Sequence, residues 1–436
     1  MTDQLTLLLE KLDEPAARYY QLDQYYNGDS PLSFLAPEVA ASLGGRLRKV
    51  SVNIPRLLVD SIAERLRVTS FAGVDVWGDW LRNDLDQTSH IAHREALVLG
   101  NSYAIVWADQ YGRPRVTIES AKQVAALCDP GTRTITAAIK RWEDDKRTYA
   151  IVYGPNEIVR YEANHTGATT AGFKVVESIA NPLGIPPVVR FTNTARLLDE
   201  GRSEMTDVLD LSDALVKLTT DMLVASEYGA RPRRWATGVE LTEEPELDDD
   251  GNETGDMVTT NPFPETDRML ISEAADAKFG QLAGSDLGGY EAATGIIMRQ
   301  ISAVSGLPEH MLGIGGDNPT SADSIRASEA ALTARAEARQ AQFGRSWEQV
   351  ARLMTAVTTG ADPQQVDCRV QWADPSTRSE AQLADATVKL FQAGIIPAST
   401  ALARLGYSAD EITEIRAARR GEALDAQAVD LTKLVS

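Results

Sequence analysis

The sequence predicts a helix-dominated α+β fold, on three observations. Apolar residues recur at helical spacing over two long stretches, 204–228 and 321–359. Ahead of both, short β-branched and aromatic runs between 102 and 191 alternate with Gly, Pro and Asp. The composition, 43% apolar and 24% charged over 436 residues, is that of a globular chain long enough for two or three domains.

In the segment 53–66, Ile54, Leu57, Leu58, Ile62 and Leu66 fall on one helical face, with Asn53 as N-cap and Pro55 early in the helix. A second helix is expected over 89–99, stopped by Gly100. The runs 102–108, 115–119, 134–142, 148–153 and 188–191 then read as a small antiparallel sheet. Over 204–228 a stripe of Met205, Val208, Leu211, Leu215, Leu218, Met222 and Ala225 predicts a helix of roughly 37 Å, with Glu204 and Asp207 in its first turn and Gly229 ending it.

An insertion of different character follows, 231–278. It opens with Arg231, Arg233 and Arg234 beside Trp235 and continues through a run of eight carboxylates from Glu243 to Asp256; residues 269–271 are its expected returning strand. Helix resumes near Gly289 and runs to Ser305. After a Gly/Pro-rich stretch, Ile325, Leu332, Ala336, Phe343, Trp347, Val350 and Met354 form one seam on a helix of roughly 58 Å. Its length predicts packing against other subunits, and Gly344 is a candidate bend. A strand over 366–372 and helices to the C-terminus complete the reading, with 422–436 expected to be loosely held.

Charge narrows the function. With 43 basic and 63 acidic side chains the net charge is −20, which argues against an ordinary nucleic-acid binder, because tight phosphate contact needs a basic footprint. Cys128 and Cys368 are far apart, as suits a reducing compartment. The N-terminus lacks the basic start and apolar run of a signal peptide, and no stretch of 18 apolar residues offers a membrane span. These features predict a soluble cytoplasmic protein.

Catalytic, metal and cofactor chemistry finds few handles. His90 and His93 share a helix face, without an HExxH pattern or a nearby cysteine, and are assigned a structural or surface role; no metal and no cofactor is expected. Glu246, Asp248, Asp250 and Gly251 mimic the start of a calcium loop, but Met257 stands where a bidentate Glu is required, so a solvated acidic loop is expected. The glycine-rich Gly313-Ile314-Gly315-Gly316-Asp317-Asn318-Pro319-Thr320 precedes a helix as a phosphate cradle would, yet lacks the Gly-Lys-Ser/Thr ending and reads as a loop joining two helices. No G-x-S-x-G elbow occurs, and no catalytic residue is assigned. For the arginine cluster two readings stay open, phosphate contact and ion pairing at an interface.

The order of certain short motifs is more telling. Tyr25-Tyr26-Asn27-Gly28, Asn53-Ile54-Pro55-Arg56-Leu57-Leu58-Val59-Asp60, Leu99-Gly100-Asn101-Ser102-Tyr103, Gly184-Ile185-Pro186-Pro187-Val188-Val189 and Ser305-Gly306-Leu307-Pro308-Glu309-His310-Met311-Leu312-Gly313, the last followed by Asn318-Pro319-Thr320-Ser321-Ala322, occur in this sequence and spacing. So arranged, the chain resembles the portal proteins of tailed bacteriophages, particularly those of phages with actinobacterial hosts. The resemblance implies a dodecameric ring at one capsid vertex of the virion, made in the bacterial cytoplasm and serving as channel for double-stranded DNA during packaging and ejection.

It also implies a wing (1–203), two stem helices (204–230 and 279–306), an α/β clip (231–278), a tunnel-loop region (307–322), a long wing helix with returning strand (323–375) and a helical crown (376–436). By the same resemblance, residues 313–320 face DNA in the channel. Arg231, Arg233, Arg234 and Trp235 lie in the clip that meets the large terminase subunit and the head–tail adaptor. Major capsid protein and scaffold are the further partners. The competing classes are an ATP-driven motor subunit, another virion assembly protein of capsid or scaffold type, and a cytoplasmic enzyme with an unrecognised site. The motor is opposed by the missing phosphate-binding lysine.

Overall fold

Helix caps and strand alternation shape the chain as a helix-rich α+β protein. The computed structural model describes residues 2–29, 52–194, 196–230, 234–237, 242–247, 253–260, 276, 278–281, 287–314, 322–376, 380–407 and 409–433. Two units are distinguished, one made of Met1–Val216 with Ile296–Ser436, the other of Lys217–Gly295.

The larger unit begins with α1 (Thr2–Asp13), α2 (Ala16–Asn27), α3 (Ile54–Ala63), β1 (Val68–Ala72), α4 (Trp77–Arg82) and α5 (Leu85–Leu99). Asn53 caps α3 by accepting a hydrogen bond from Arg56 N, and Pro55 sits in its first turn. α5 starts four residues before the expected Ser89, because Leu85 is wholly buried and the chain turns at Asp84 with φ 52°. It ends, as expected, at Gly100 with φ 93°.

Two antiparallel sheets follow. β2 (Asn101–Ala108), β3 (Pro114–Ser120) and β9 (Val188–Thr192) form one in the order β3-β2-β9. β4 (Val124–Cys128), β5 (Ile135–Glu143), β6 (Thr148–Tyr153), β7 (Glu157–Ala163) and β8 (Phe173–Ala180) form a meander. Of these, β4, β7 and β8 were not legible in the sequence. β4 is alanine-rich, and β8, an edge strand exposed along nearly its whole length, shows no alternation of buried and exposed positions. α1 covers the meander with Leu5, Leu8, Leu9 and Leu12 against Ala137, Ile139, Ala150, Val152 and Tyr161.

The second long helix corrects an expectation. α8 (Ala322–Thr359) carries the predicted seam, but Leu332, Ala336, Phe343, Trp347, Val350 and Met354 are buried to 1% exposure or less within the chain's own core. They pack among α3, α5, β2 and β9 rather than awaiting a neighbouring subunit. Gly344 makes room for a neighbour. A Cβ there would stand 3.1 Å from Val370 Cγ1 and 3.2 Å from Trp372 Nε1, so glycine admits the strand β14 (Arg369–Trp372). β14 pairs with β1, Val68 opposite Trp372 and Ala72 opposite Arg369. The chain continues as α9 (Glu380–Gln392), α10 (Ala398–Arg404) and α11 (Ala409–Lys433).

The first long helix, α6 (Leu209–Ala230), begins five residues after the expected Glu204. Residues 204–208 form turns, and Glu204 is drawn into a buried ion pair instead of serving the helix dipole. The smaller unit holds the end of α6, the ladder of β10 (Arg234–Thr237) with β13 (Lys278–Gln281), the ladder of β11 (Thr242–Leu247) with β12 (Glu253–Thr260), and the start of α7 (Gly288–Ser305). Among the described residues no helix is long and apolar enough to cross a membrane.

Candidate functional site

The motifs that carried the resemblance lock the larger unit together. Tyr25 O–H donates to Asp213 Oδ2 (2.6 Å) and Tyr26 O–H to Asp60 Oδ1 (2.9 Å), while Gly28 closes α2 in the left-handed region. Asp60 also receives Arg94 Nε at 3.0 Å and Arg56 Nε at 3.3 Å. Burial raises the Asp213 carboxyl, the Tyr25 hydroxyl opposes that, and Asp210 adds to it. In Leu99-Gly100-Asn101-Ser102-Tyr103, a Cβ on Gly100 would stand 2.7 Å from the carbonyl carbon of Gly201. Asn101 Nδ2 donates to Glu200 O (2.7 Å) and its Oδ1 accepts from Arg190 Nε (2.8 Å). These motifs tie α2, α3, α5 and β2 to the segment leading into α6.

The expected channel loop has an anchored base. At the end of α7, Ser302 Oγ donates to Leu307 O (2.7 Å) and Leu307 N to Ser305 Oγ (3.1 Å). Leu307, ahead of a 3₁₀ turn over Glu309–Leu312, and Leu312, its last residue, are both buried. Gly313 has φ 72°, and Ile314 N returns to Glu309 O at 3.1 Å. Ile314 packs against the main core, so the first two residues of the expected loop belong to its base. Gly315, Gly316, Asp317, Asn318, Pro319 and Thr320 lie outside the described residues.

Two ion-pair groups hold this base and α8. Glu329, its side chain 6% exposed, accepts Arg65 Nη2 at 3.0 Å and stands 3.7 Å from His310 Nε2. Glu204, its side chain 4% exposed, accepts Arg339 Nη2 (2.8 Å), Arg335 Nη1 (3.3 Å) and Asn193 Nδ2 (3.1 Å). Arg335 Nη2 also donates to Val304 O (2.6 Å), near the end of α7. One carboxylate thus joins the entry to α6, the exit of α7 and α8. Sequence reasoning missed it. Arg335 and Arg339 are four apart on one helix face, the only available signal, but nothing local names a partner more than 130 positions away.

In the expected clip, Arg231 and Arg233 lie outside the described residues; Arg234 and Trp235 stand in β10 opposite Gln281 and Gly280. The acidic stretch is not one solvated loop. Glu243, Glu244 and Glu246 fall in β11, Glu253 and Asp256 in β12, and Asp248, Asp249, Asp250 and Gly251 lie outside the described residues. The expected returning strand at 269–271 is also outside them; β13 is the strand that returns to β10.

His93 lies wholly in the core, while His90 is half-buried beside Arg94. Among the described residues no group of three or more His, Cys, Asp or Glu side chains is arranged to hold a metal ion.

The family profile described as "Phage portal protein, SPP1 Gp6-like" matches residues 6–424. The portal proteins of Mycobacterium phages L5 and D29 are 30% and 32% identical over 391 and 393 residues, in each case over 84% of this chain and 78% of the relative. Among solved structures, a chain from the neck of an empty gene transfer agent particle, computed with C6 symmetry, aligns with a TM-score of 0.48 at 14% identity, covering 89% of this chain and 93% of its own. The profile match runs through both units and all the motifs from Tyr25 to Gly313. The chain belongs to the SPP1-like family of phage portal proteins.

Proposed function

We propose that this portal-family chain assembles into a closed, dodecameric ring at one vertex of a phage capsid, made in the bacterial host and carried in the virion. The ring is the conduit for double-stranded DNA during packaging and ejection, and the platform for the large terminase subunit and the head–tail adaptor. Major capsid protein and scaffold surround it during assembly. In this reading 1–203 and 323–375 are the wing, 204–230 and 279–306 the stem, 231–278 the clip, 307–322 the tunnel-loop region and 376–436 the crown.

The observation that carries this reading is the unbroken family match over residues 6–424. The physical features support it. A head-to-tail ring buries the same two surfaces of every copy. With −20 charges per chain, the wall of such a ring repels phosphates, so DNA slides because it is held weakly. Negative-stain electron microscopy with light scattering tests the proposal. Rings with a central channel, at a dozen times the 47.3 kDa chain mass, are expected. A compact dimer or tetramer without a channel, unchanged by scaffold or capsid protein, would overturn it.

A further inference from the structure

The larger unit contains a cavity of about 720 Å³ between the β4–β5 turn, β9, α8 and the turn at Pro363. Arg133, Arg190, Arg345 and Arg352 line it against one carboxylate, Glu348, a local excess of cations in a chain of net charge −20. Arg133 is exposed at the turn, with φ 59° in the left-handed region where side chains are rarely held. Asp129 imposes that turn by accepting hydrogen bonds from Gly131 N (2.9 Å) and Thr132 N (2.7 Å). Arg345 is 74% exposed at its side chain and pairs with Glu348, 3.0 Å away. Arg352 adds its charge to the wall from α8, one turn beyond Glu348.

The rest of the lining is apolar, with Ile135, Ile185, Pro186 and Leu353. That combination discriminates between anions. Guanidinium groups pair with carboxylates and with phosphates. A sugar–phosphate backbone, however, offers nothing to cover an aliphatic floor, whereas a peptide brings apolar side chains beside its carboxylates. A heterologous ring of identical acidic chains also needs cations on one face to meet the carboxylates of the next copy.

We propose that this arginine-walled cavity is a contact between neighbouring copies in the ring, and that it receives a carboxylate-bearing segment flanked by apolar residues from the adjacent chain. The inference rests on the ring reading.

Arg133→Glu combined with Arg345→Ala tests it, since both side chains are exposed and neither supports the core. Light scattering across protein concentrations and electron microscopy follow ring formation, and thermal denaturation checks the fold. A photoreactive benzoylphenylalanine at Gln349, which also lines the cavity, reports what enters it. The variant is expected to need about tenfold more protein to form rings, with an unchanged melting curve, and the crosslink to join Gln349 to an acidic segment of a second copy. Rings at the wild-type concentration, or crosslinks only within one chain, would overturn the inference and leave the ring reading standing. A variant that assembles normally but loses binding of a short DNA duplex held by wild-type rings would make the cavity a phosphate site and also overturn it. Failure of the wild-type chain to form rings even with scaffold would remove the ring reading and this inference together.

Discussion

Trp347 Nε1–H donates a 2.7 Å hydrogen bond to Nε2 of His93 in the interior of the larger unit. The imidazole lies flat against Phe343, with centroids 5.5 Å apart and planes 3° from parallel, and Trp347 meets it edge-on at 5.8 Å. Only a neutral histidine can accept at Nε2. Burial pushes His93 down to about 3, His90 pushes the same way, and the nearby Leu66 backbone opposes them.

Acid should therefore destabilise the fold through His93. Its folded-state pKa is depressed below the ordinary ~6.5, so the unfolded chain binds the proton first, and stability falls as pH drops from about 6.5 towards 3. The slope from this group is ~1.4 kcal/mol per pH unit inside that window. His93→Gln keeps an acceptor for Trp347 without titrating. Chemical denaturation of wild type and variant across pH 7 to 4 should give curves that converge on acidification; parallel curves would refute the assignment.

Removing the carboxylate at 204 should be costly. Glu204→Ala leaves Arg339, 16% exposed at its side chain, and Arg335 without their shared anion, a loss of about 3–5 kcal/mol expected for a broken buried pair. Glu204→Gln, which keeps the shape and one acceptor, should cost less. Differential scanning calorimetry of both variants decides; equal melting temperatures for Glu204→Ala and wild type would contradict the role given to this group.

Gly100 and Gly112 both have positive φ, yet they should respond differently to alanine. At Gly100 the new Cβ meets the Gly201 backbone at 2.7 Å, whereas at Gly112 nothing lies within 4 Å. Gly112→Ala should cost about 1 kcal/mol, the conformational penalty alone. Gly100→Ala adds a backbone clash and should exceed about 3 kcal/mol. Urea midpoints measured side by side test the contrast.

Loop variants separate transport from assembly. Asp317→Lys, or deletion of residues 315–318, should leave ring formation unchanged, because the base of the loop is held by Leu307, Leu312 and Ile314 outside the altered stretch. DNA packaging or retention should fall. Packaging assays showing both variants at wild-type level would sink the sliding-channel proposal.

Much of this architecture was legible because it is local. The cap at Asn53, the stop at Gly100, the helical seam of α8 and the strand runs of β2, β3, β5, β6 and β9 are written in neighbouring residues. What could not be read depends on partners far along the chain. Gly344 reads as a bend until β14 is seen beside it, Glu204 reads as a helix-start charge until Arg335 and Arg339 close on it, and the structural role of His93 gains its content only when Trp347 is found on its nitrogen. The proposed channel and docking residues rest on family resemblance alone, since glycine-rich and arginine-rich stretches carry no local signature of what they face.

The pairing of β1 with β14 sets Val68 beside Trp372, some three hundred positions later. During synthesis β1 therefore waits for its partner while the whole Lys217–Gly295 insertion leaves the ribosome. Until α8 follows, the aromatic pocket around His93, Trp80 and Phe191 lacks Phe343 and Trp347, and its greasy wall stands open to water. A nascent chain in that state is the one most exposed to chaperones and to premature association. Order of emergence, as much as final contacts, then governs how many finished chains result from synthesis.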